Sequence, residues 1–266
     1  MLIPLTAHFD ASGTDNAQKV FAIGGWIAEV DQWSRLRCDW KKMIEEAPFR
    51  DDVKKKDRIF HASDLEYRKG IYEGWRDDEK QTFQGRAYGI VEDYELFPFS
   101  AAIVKADFEA LKIRFSELPH GHAGNYFMWT FHHVMAQVRK WLEAQHKDVN
   151  VHYIFERGQL GDGQVQDSLK RIADDAAERE LFRMREWTFA GKELLPLQTA
   201  DLWAYESYKQ MVNRNLGMQT HPIRYPYRRL HRTEYERFQV YYDRDNLPAL
   251  IAEYRELYEK SGRPRD

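Results

Sequence analysis

The sequence is poor in the features that build disulfide scaffolds and membrane spans. Cys38 is its only cysteine, which excludes an intramolecular disulfide and a zinc site made of cysteines. No run of about 18 apolar residues occurs, and the apolar stretch at the N-terminus is too short for the core of a signal peptide. A lone cysteine suits a reducing compartment. We therefore expect a soluble protein in the cytoplasm, with no membrane partner.

An excess of positive charge is also missing. Lys and Arg together number 40 and Asp and Glu 43, which gives a formal net charge of -3. A protein that coats nucleic acid without specificity is normally basic overall. Any contact with RNA or DNA must therefore come from a local basic patch.

The chain does contain the alternation of strand and helix patterns that is typical of an α/β protein. Its hydrophobic fraction of 43% is enough for a large core, and neither a repeat nor a low-complexity linker divides it. Apolar runs and alternation predict strands at 5–10, 20–27, 98–104, 149–155 and 186–189. Helical spacing predicts helices at 31–47, 77–94, 125–143, 166–179 and 196–214.

These elements predict one domain over residues 1–266, with a mixed sheet flanked by helices. Residues of about 28–95 form a helical insertion after the second strand in this interpretation. Residues of about 219–266 form a basic and aromatic C-terminal extension.

Three carboxylates lie at positions where packing of the fold does not require an acidic residue. Asp10 ends the first predicted strand and Glu156 follows the fourth, so both are expected at the rim where the carboxyl ends of strands meet. Asp201 lies on the apolar stripe of the last predicted helix, where a carboxylate is costly unless it is paired or bound to a metal. Carboxylates suit Mg²⁺ or Mn²⁺, and two such ions about 3.5–4 Å apart can hydrolyse a phosphodiester.

Each carboxylate also has an ordinary interpretation. Asp10 can start a turn, Glu156 can pair with Arg157, and Asp201 can form a local hydrogen bond in its helix. A shared site predicts carboxyl oxygens within about 4–8 Å of one another, because all must reach the same ions. It also predicts that crowding raises the pKa of at least one of the three.

Several segments together resemble a known family. They read FDASG at 9–13, FAIGGWI at 21–27, FHASDL at 60–65, IFERG at 154–158 and PLQTADLWAY at 196–205. Over about residues 5–250 the chain resembles the family named domain of unknown function 3800. The resemblance implies a ribonuclease-H-like fold and a metal-dependent nuclease-like site made of Asp10, Glu156, Gln198 and Asp201. The family pattern usually reads Asp-Glu-Ser-Gly. Ala11 replaces that Glu here, which implies weaker metal binding or a degenerate site.

Two further groups are candidates for function. His61, within FHASDL, is a proton shuttle or ligand in one interpretation and part of a loop anchored by Phe60 and Leu65 in the other. A basic and aromatic patch near the C-terminus suits phosphate contacts and base stacking, although it is equally typical of a solvated surface. Its residues are Arg224, Tyr225, Tyr227, Arg228, Arg229 and Arg232.

The sequence thus predicts a nuclease that cleaves nucleic acid by a two-metal mechanism. Asp10 would bridge the two Mg²⁺ or Mn²⁺ ions, Glu156 and Asp201 would each complete one shell, and Gln198 would orient Asp201 or a water. Two alternatives stay open. One is a catalytically degenerate nucleic-acid-binding or accessory protein of the same fold, and the other is a phosphohydrolase for small nucleotides.

Overall fold

A single mixed sheet organises the protein. The computed structural model describes residues 5–111, 126–145, 147–158, 162–215, 225–230 and 239–252. The strands in the described residues are β1 (Leu5–Ser12), β2 (Val20–Glu29), β3 (Phe97–Val104), β4 (Val151–Glu156), β5 (Met184–Ala190) and β6 (Gln239–Tyr242). They are ordered β5-β4-β1-β2-β3-β6. β2 runs antiparallel to β1 and β3, and the other neighbouring pairs are parallel.

Helices flank this sheet on both faces. Three of them lie between β2 and β3 in the chain: α1 (Val30–Glu45), α2 (Ala62–Tyr67) and α3 (Asp77–Asp93). The others in the described residues are α4 (Lys105–Ala110), α5 (Tyr126–Ala144), α6 (Asp162–Asp174), α7 (Ala176–Leu181), α8 (Leu195–Asn215) and α9 (Tyr225–Leu230). Within these ranges, none of the helices has the length and apolarity needed to span a membrane.

The α/β class and the mixed sheet flanked by helices are confirmed, and two local predictions need correction. The single helix predicted at 166–179 is two helices, because Asp175 interrupts it and its carboxylate caps α7 by accepting from the backbone nitrogens of Ala177 and Glu178. The segment 239–242, assigned to a C-terminal extension, supplies the sixth strand and pairs with β3.

Successive residues of the strands point to opposite faces of the sheet, and each face packs into its own hydrophobic core. Phe9 of β1 and Phe155 of β4 belong to one core, together with Phe131 of α5. The opposite face, toward which His8 and Asp10 alternate, carries the second core, which includes Trp26 of β2 and Trp203 of α8. The helices α1 and α3 pack into that second core. Asp10 therefore lies on the sheet face that α8 covers.

A glycine allows α8 to lie close against that face. A Cβ atom at Gly24 would come within 2.7 Å of the backbone of Ala204, so a side chain there would displace the helix. Two indoles fix the same contact, since Trp26 donates to the carbonyl of Thr199 and Trp203 to the carbonyl of Phe99. Gly24 is also the register partner of Asp10, so this close approach brings α8 beside the carboxylate.

Candidate functional site

The three predicted carboxylates converge on one buried ammonium group. Lys192 Nζ lies 3.1 Å from Asp10 Oδ2, 3.4 Å from Glu156 Oε1 and 3.0 Å from Asp201 Oδ1. None of the four residues is more than 8% exposed, and Asp10 is completely buried. One nitrogen atom touches all three carboxylates, so the structure brings them together as a single cluster, which we call the acidic cluster.

The sheet topology explains this convergence. β1, β4 and β5 are parallel neighbours, so their carboxyl ends meet at one edge. Asp10 lies two residues before the end of β1, Glu156 is the last residue of β4, and Lys192 follows the end of β5 by two residues. Asp201 comes from the beginning of α8.

Lys192 is the central residue that the sequence interpretation missed. The available signal was its position, because it follows the carboxyl end of a strand just as Glu156 does. A lysine beside Glu193 in a short connection reads as solvated surface, however. Its burial depends on partners from three distant segments of the chain.

The FHASDL segment reaches the cluster through its backbone and through His61. The backbone nitrogen of Ala62 donates to Asp201 Oδ2 at 2.6 Å. His61 Nδ1 lies 3.2 Å from Lys192 Nζ. An ammonium has donors only, so Nδ1 accepts and the proton of a neutral His61 ring sits on Nε2. His61 thus contacts the centre of the acidic cluster through Lys192.

Gln198, which was predicted to orient Asp201 or a water, makes its described hydrogen bonds to other groups. Its Oε1 accepts from the indole of Trp40 at 2.9 Å and from the backbone nitrogen of Phe60 at 3.2 Å, and its Nε2 donates to the Lys192 carbonyl at 2.8 Å. Through these bonds the Gln198 amide contacts the indole of Trp40 and the backbone at Phe60 and Lys192, rather than Asp201. Gln198 therefore positions the chain at Phe60 and Lys192.

Burial and charge shift the titration of the cluster. Complete burial raises the pKa of Asp10 well above its usual value, Lys192 opposes that shift, and Glu156 and Asp201 add to it. The predicted raised pKa thus falls on Asp10, with burial rather than crowding as its largest cause. Burial disfavours the ammonium of Lys192, but the surrounding carboxylates outweigh it and raise the pKa of Lys192 above its usual value.

The shift at Asp10 predicts a pH dependence of stability. The folded pKa lies above the unfolded value of about 3.9, so the contribution of Asp10 to stability is lost as pH rises through the folded pKa. Asn at this position has no proton to lose. We expect the free energy of unfolding of Asp10→Asn, measured with urea in EDTA, to increase relative to wild type between about pH 5 and pH 8. A difference that stays constant over this range would contradict the assignment, and Glu193→Gln, at an exposed carboxylate, serves as the control.

The cluster has the donor chemistry of a divalent-cation site, but a lysine occupies its centre. Carboxylate oxygens are the ligands that Mg²⁺ and Mn²⁺ prefer. With Asp10 ionised, Glu156 Oε2 is buried and accepts no hydrogen bond from any described residue. Even so, no group of three or more His, Cys, Asp or Glu side chains in the described ranges is arranged to hold a metal ion as it stands. The residues fit a metal only if Lys192 leaves the centre.

Part of the predicted basic and aromatic patch lies outside the described residues. Arg224 and Arg232 fall there, as does the side chain of Tyr225 at the start of α9. Arg228 is exposed. It is therefore the member of the patch that the described structure leaves open to a ligand.

Tyr227 and Arg229 have packing roles, which corrects their assignment to a nucleic-acid interface. Tyr227 is 3% exposed and stacks on Trp203, with ring centroids 5.2 Å apart. Its hydroxyl bonds to the side chain of Gln239. Arg229 pairs with Glu92 of α3, with Nη2 and Oε2 2.7 Å apart. A ring and a guanidinium used in this way hold α9 against the protein and are not free to stack on a base or bind a phosphate.

Comparison of the chain with protein-family models, curated proteins and solved structures finds no match. The function is therefore inferred from the fold and from the geometry of the acidic cluster.

Proposed function

We propose that this protein is a metal-dependent hydrolase of nucleic-acid phosphodiesters, with Asp10, Glu156 and Asp201 as its metal-binding residues. The observation that carries the proposal is the convergence of three buried carboxylates at the carboxyl ends of parallel strands. Stability alone does not explain such a cluster, because apolar side chains of similar volume usually serve a core as well as or better than buried ions.

We also propose that the fold is ribonuclease-H-like, with α1, α2 and α3 as a helical insertion. Three consecutive antiparallel strands are followed by β4 and β5, which run parallel to β1 and are separated by helices. This order and the resemblance to the domain of unknown function 3800 family support the assignment. The residues that the resemblance implies for a site include the three carboxylates of the acidic cluster.

The protein orients each carboxylate so that one oxygen faces the centre. The backbone nitrogen of Ala11 binds Asp10 Oδ1 at 2.6 Å and leaves Oδ2 toward the centre. The backbone nitrogen of Ala62 fixes Asp201 Oδ2 in the same way and leaves Oδ1. When bound, Mg²⁺ or Mn²⁺ would supply charge stabilisation for the phosphodiester and lower the pKa of the attacking water. His61 Nδ1, which lies beside the centre, would accept a proton during the reaction.

The surface near the cluster offers a contact for the substrate. Tyr67, the last residue of α2, is 55% exposed, and Ala62 of the same short helix binds Asp201. The ammonium groups of Lys69 and Lys209 lie 5.5 and 5.6 Å from the centroid of its ring. An exposed ring with two cations over it suits contact with a phosphate and with the base next to it.

Substitution of Tyr67 tests this contact. We expect Tyr67→Ala to weaken binding of a single-stranded oligonucleotide by about tenfold, since stacking contributes about 1–3 kcal/mol per base. Tyr67→Phe should bind like wild type because it keeps the ring. Fluorescence anisotropy in EDTA measures both, with Val30→Ala, at an exposed apolar side chain on α1, as the control. Equal affinities for Tyr67→Ala and wild type would remove Tyr67 from the substrate surface.

The proposed activity is tested with the wild-type protein. Single-stranded, duplex and hybrid oligonucleotides are incubated with Mg²⁺, Mn²⁺ or EDTA, and cleavage that requires a metal is expected. Neither binding nor cleavage of any of these substrates would contradict the proposal. Hydrolysis of nucleoside phosphates in their place would favour the small-nucleotide phosphohydrolase.

A non-catalytic accessory protein is the second candidate, and one observation favours it. Lys192 already neutralises part of the charge of the cluster, so the fold can hold these carboxylates without a metal. Ala11, which replaces an acid of the family pattern, points in the same direction. Oligonucleotide binding that is unchanged by EDTA, without cleavage under any condition, would support this candidate.

A further inference from the structure

The centre of the acidic cluster is occupied by a charge that belongs to the protein itself. Lys192 Nζ touches all three carboxylates within 3.4 Å, which is where a divalent cation would have to share the same oxygens. A metal ion bound at the point where Nζ lies would contact the same three oxygens, and the repulsion between two cations at that single point is weakly screened in a buried site. Lys192 and a metal are therefore alternatives at this site.

We infer that Lys192 is a resident counter-cation that competes with the divalent metal, so that metal binds by displacing the Lys192 ammonium from the acidic cluster. This inference rests on the proposed function only in its choice of metal. It assigns to Lys192 the control of metal affinity, which neither the sequence pattern nor the family resemblance provides.

The local structure allows such a displacement. Gln198 fixes the backbone of Lys192 through its carbonyl, whereas ion pairs and the contact with His61 hold the ammonium. Lys192 lies in the short connection between β5 and α8, next to the exposed Glu193. Rotation of the flexible lysine stem can therefore carry the charge toward solvent while the backbone stays in place.

After displacement, the oxygens that faced the ammonium become free for the metal. Asp10 Oδ2, Glu156 Oε1 and Asp201 Oδ1 would lose their contact with Nζ and could then bind the metal. The backbone nitrogens of Ala11 and Ala62 would continue to hold the opposite oxygens. The three carboxylates thus stay oriented when the cation changes.

The first test compares Mn²⁺ affinities by isothermal titration calorimetry. Lys192→Met removes the charge and keeps an unbranched apolar side chain, so we expect it to bind Mn²⁺ at least about tenfold more tightly than wild type. Lys105→Met is the matched control, since Lys105 is also buried but donates to the carbonyl of Asp15 rather than to a carboxylate cluster. It should bind Mn²⁺ like wild type. Equal or weaker binding by Lys192→Met, or no binding by either protein, would overturn the inference.

The second test uses the wild-type protein, which avoids any effect of the substitution on folding. Acetylation by an amine-reactive ester is followed at Lys192 by peptide mass spectrometry. We expect slow modification in EDTA, because the side chain is 5% exposed, and several-fold faster modification with saturating Mn²⁺. An unchanged rate at Lys192 would contradict displacement, with Lys105 as the internal reference.

These results separate the inference from the proposed function. Tighter Mn²⁺ binding by Lys192→Met without cleavage of any nucleic acid would uphold the role of Lys192 and remove the hydrolase. Metal-dependent cleavage by wild type, with equal Mn²⁺ affinities and unchanged acetylation, would uphold the hydrolase and remove the competition.

Discussion

Replacement of Asp10 with Asn is expected to lower metal-dependent cleavage of nucleic acid by about a thousandfold, because the charge stabilisation that a metal supplies is worth several kcal/mol. Asp10 is completely buried and directs Oδ2 at the centre of the acidic cluster. Binding of nucleic acid should stay near that of wild type or become tighter, since a negative charge that faces the phosphate is removed. Single-turnover cleavage and anisotropy titrations measure the two effects separately.

Glu193→Gln is the matched control for this loss. Glu193 is exposed next to Lys192 in the chain, and its substitution removes one carboxylate near the cluster without changing the residues that face Nζ. It should cleave like wild type. Cleavage by Asp10→Asn at more than a tenth of the wild-type rate would show that this carboxylate does not hold the metal.

Replacement of Lys192 with Met is expected to destabilise the metal-free protein by about 3–5 kcal/mol, the usual effect of removing one partner of a buried ion pair. The substitution leaves the carboxylates of Asp10, Glu156 and Asp201 buried without their cation. Mn²⁺ should restore most of the loss, because an ion that binds only the folded state stabilises it. Urea denaturation in EDTA and in Mn²⁺ measures both quantities.

Two variants control for the loss of a buried lysine as such. Lys105→Met removes an ammonium that donates to one carbonyl, so a smaller loss of about 1–2 kcal/mol is expected, without recovery in Mn²⁺. The double variant Lys192→Met with Asp10→Asn should be more stable in EDTA than Lys192→Met alone, because one uncompensated carboxylate fewer is buried. An effect of Asp10→Asn that is equal in wild type and in Lys192→Met would show that Asp10 and Lys192 do not interact.

The three carboxylates of the acidic cluster can be predicted from local sequence patterns. Asp10 and Glu156 were predicted because alternation and apolar runs locate the ends of strands, and the carboxyl ends of parallel strands share an edge. Asp201 was predicted because a carboxylate on an apolar helical stripe requires a partner. Both arguments use local patterns together with a general property of sheets.

Local patterns did not identify the partner itself. The ammonium of Lys192 is an ion-pair partner of residues from β1, β4 and α8, and Gln198 holds its backbone. Local patterns also did not identify the packing roles of Tyr227 and Arg229 in the basic and aromatic patch, for the same reason. Its spacing is equally typical of an exposed patch and of a helix with one buried side, and contacts with Glu92 and Trp203 from other elements decide between them.

The sequence by itself determined the α/β class, the places of five strands and the three carboxylates at one end of the sheet. The tertiary structure alone decided that β6 completes the sheet, that Gln198 supports Lys192 rather than Asp201, and that an ammonium occupies the centre of the acidic cluster. Strand and helix patterns arise from the periodicity of neighbouring residues along the chain. Burial and ion pairing arise from residues that folding brings together from distant segments, so no local pattern records them.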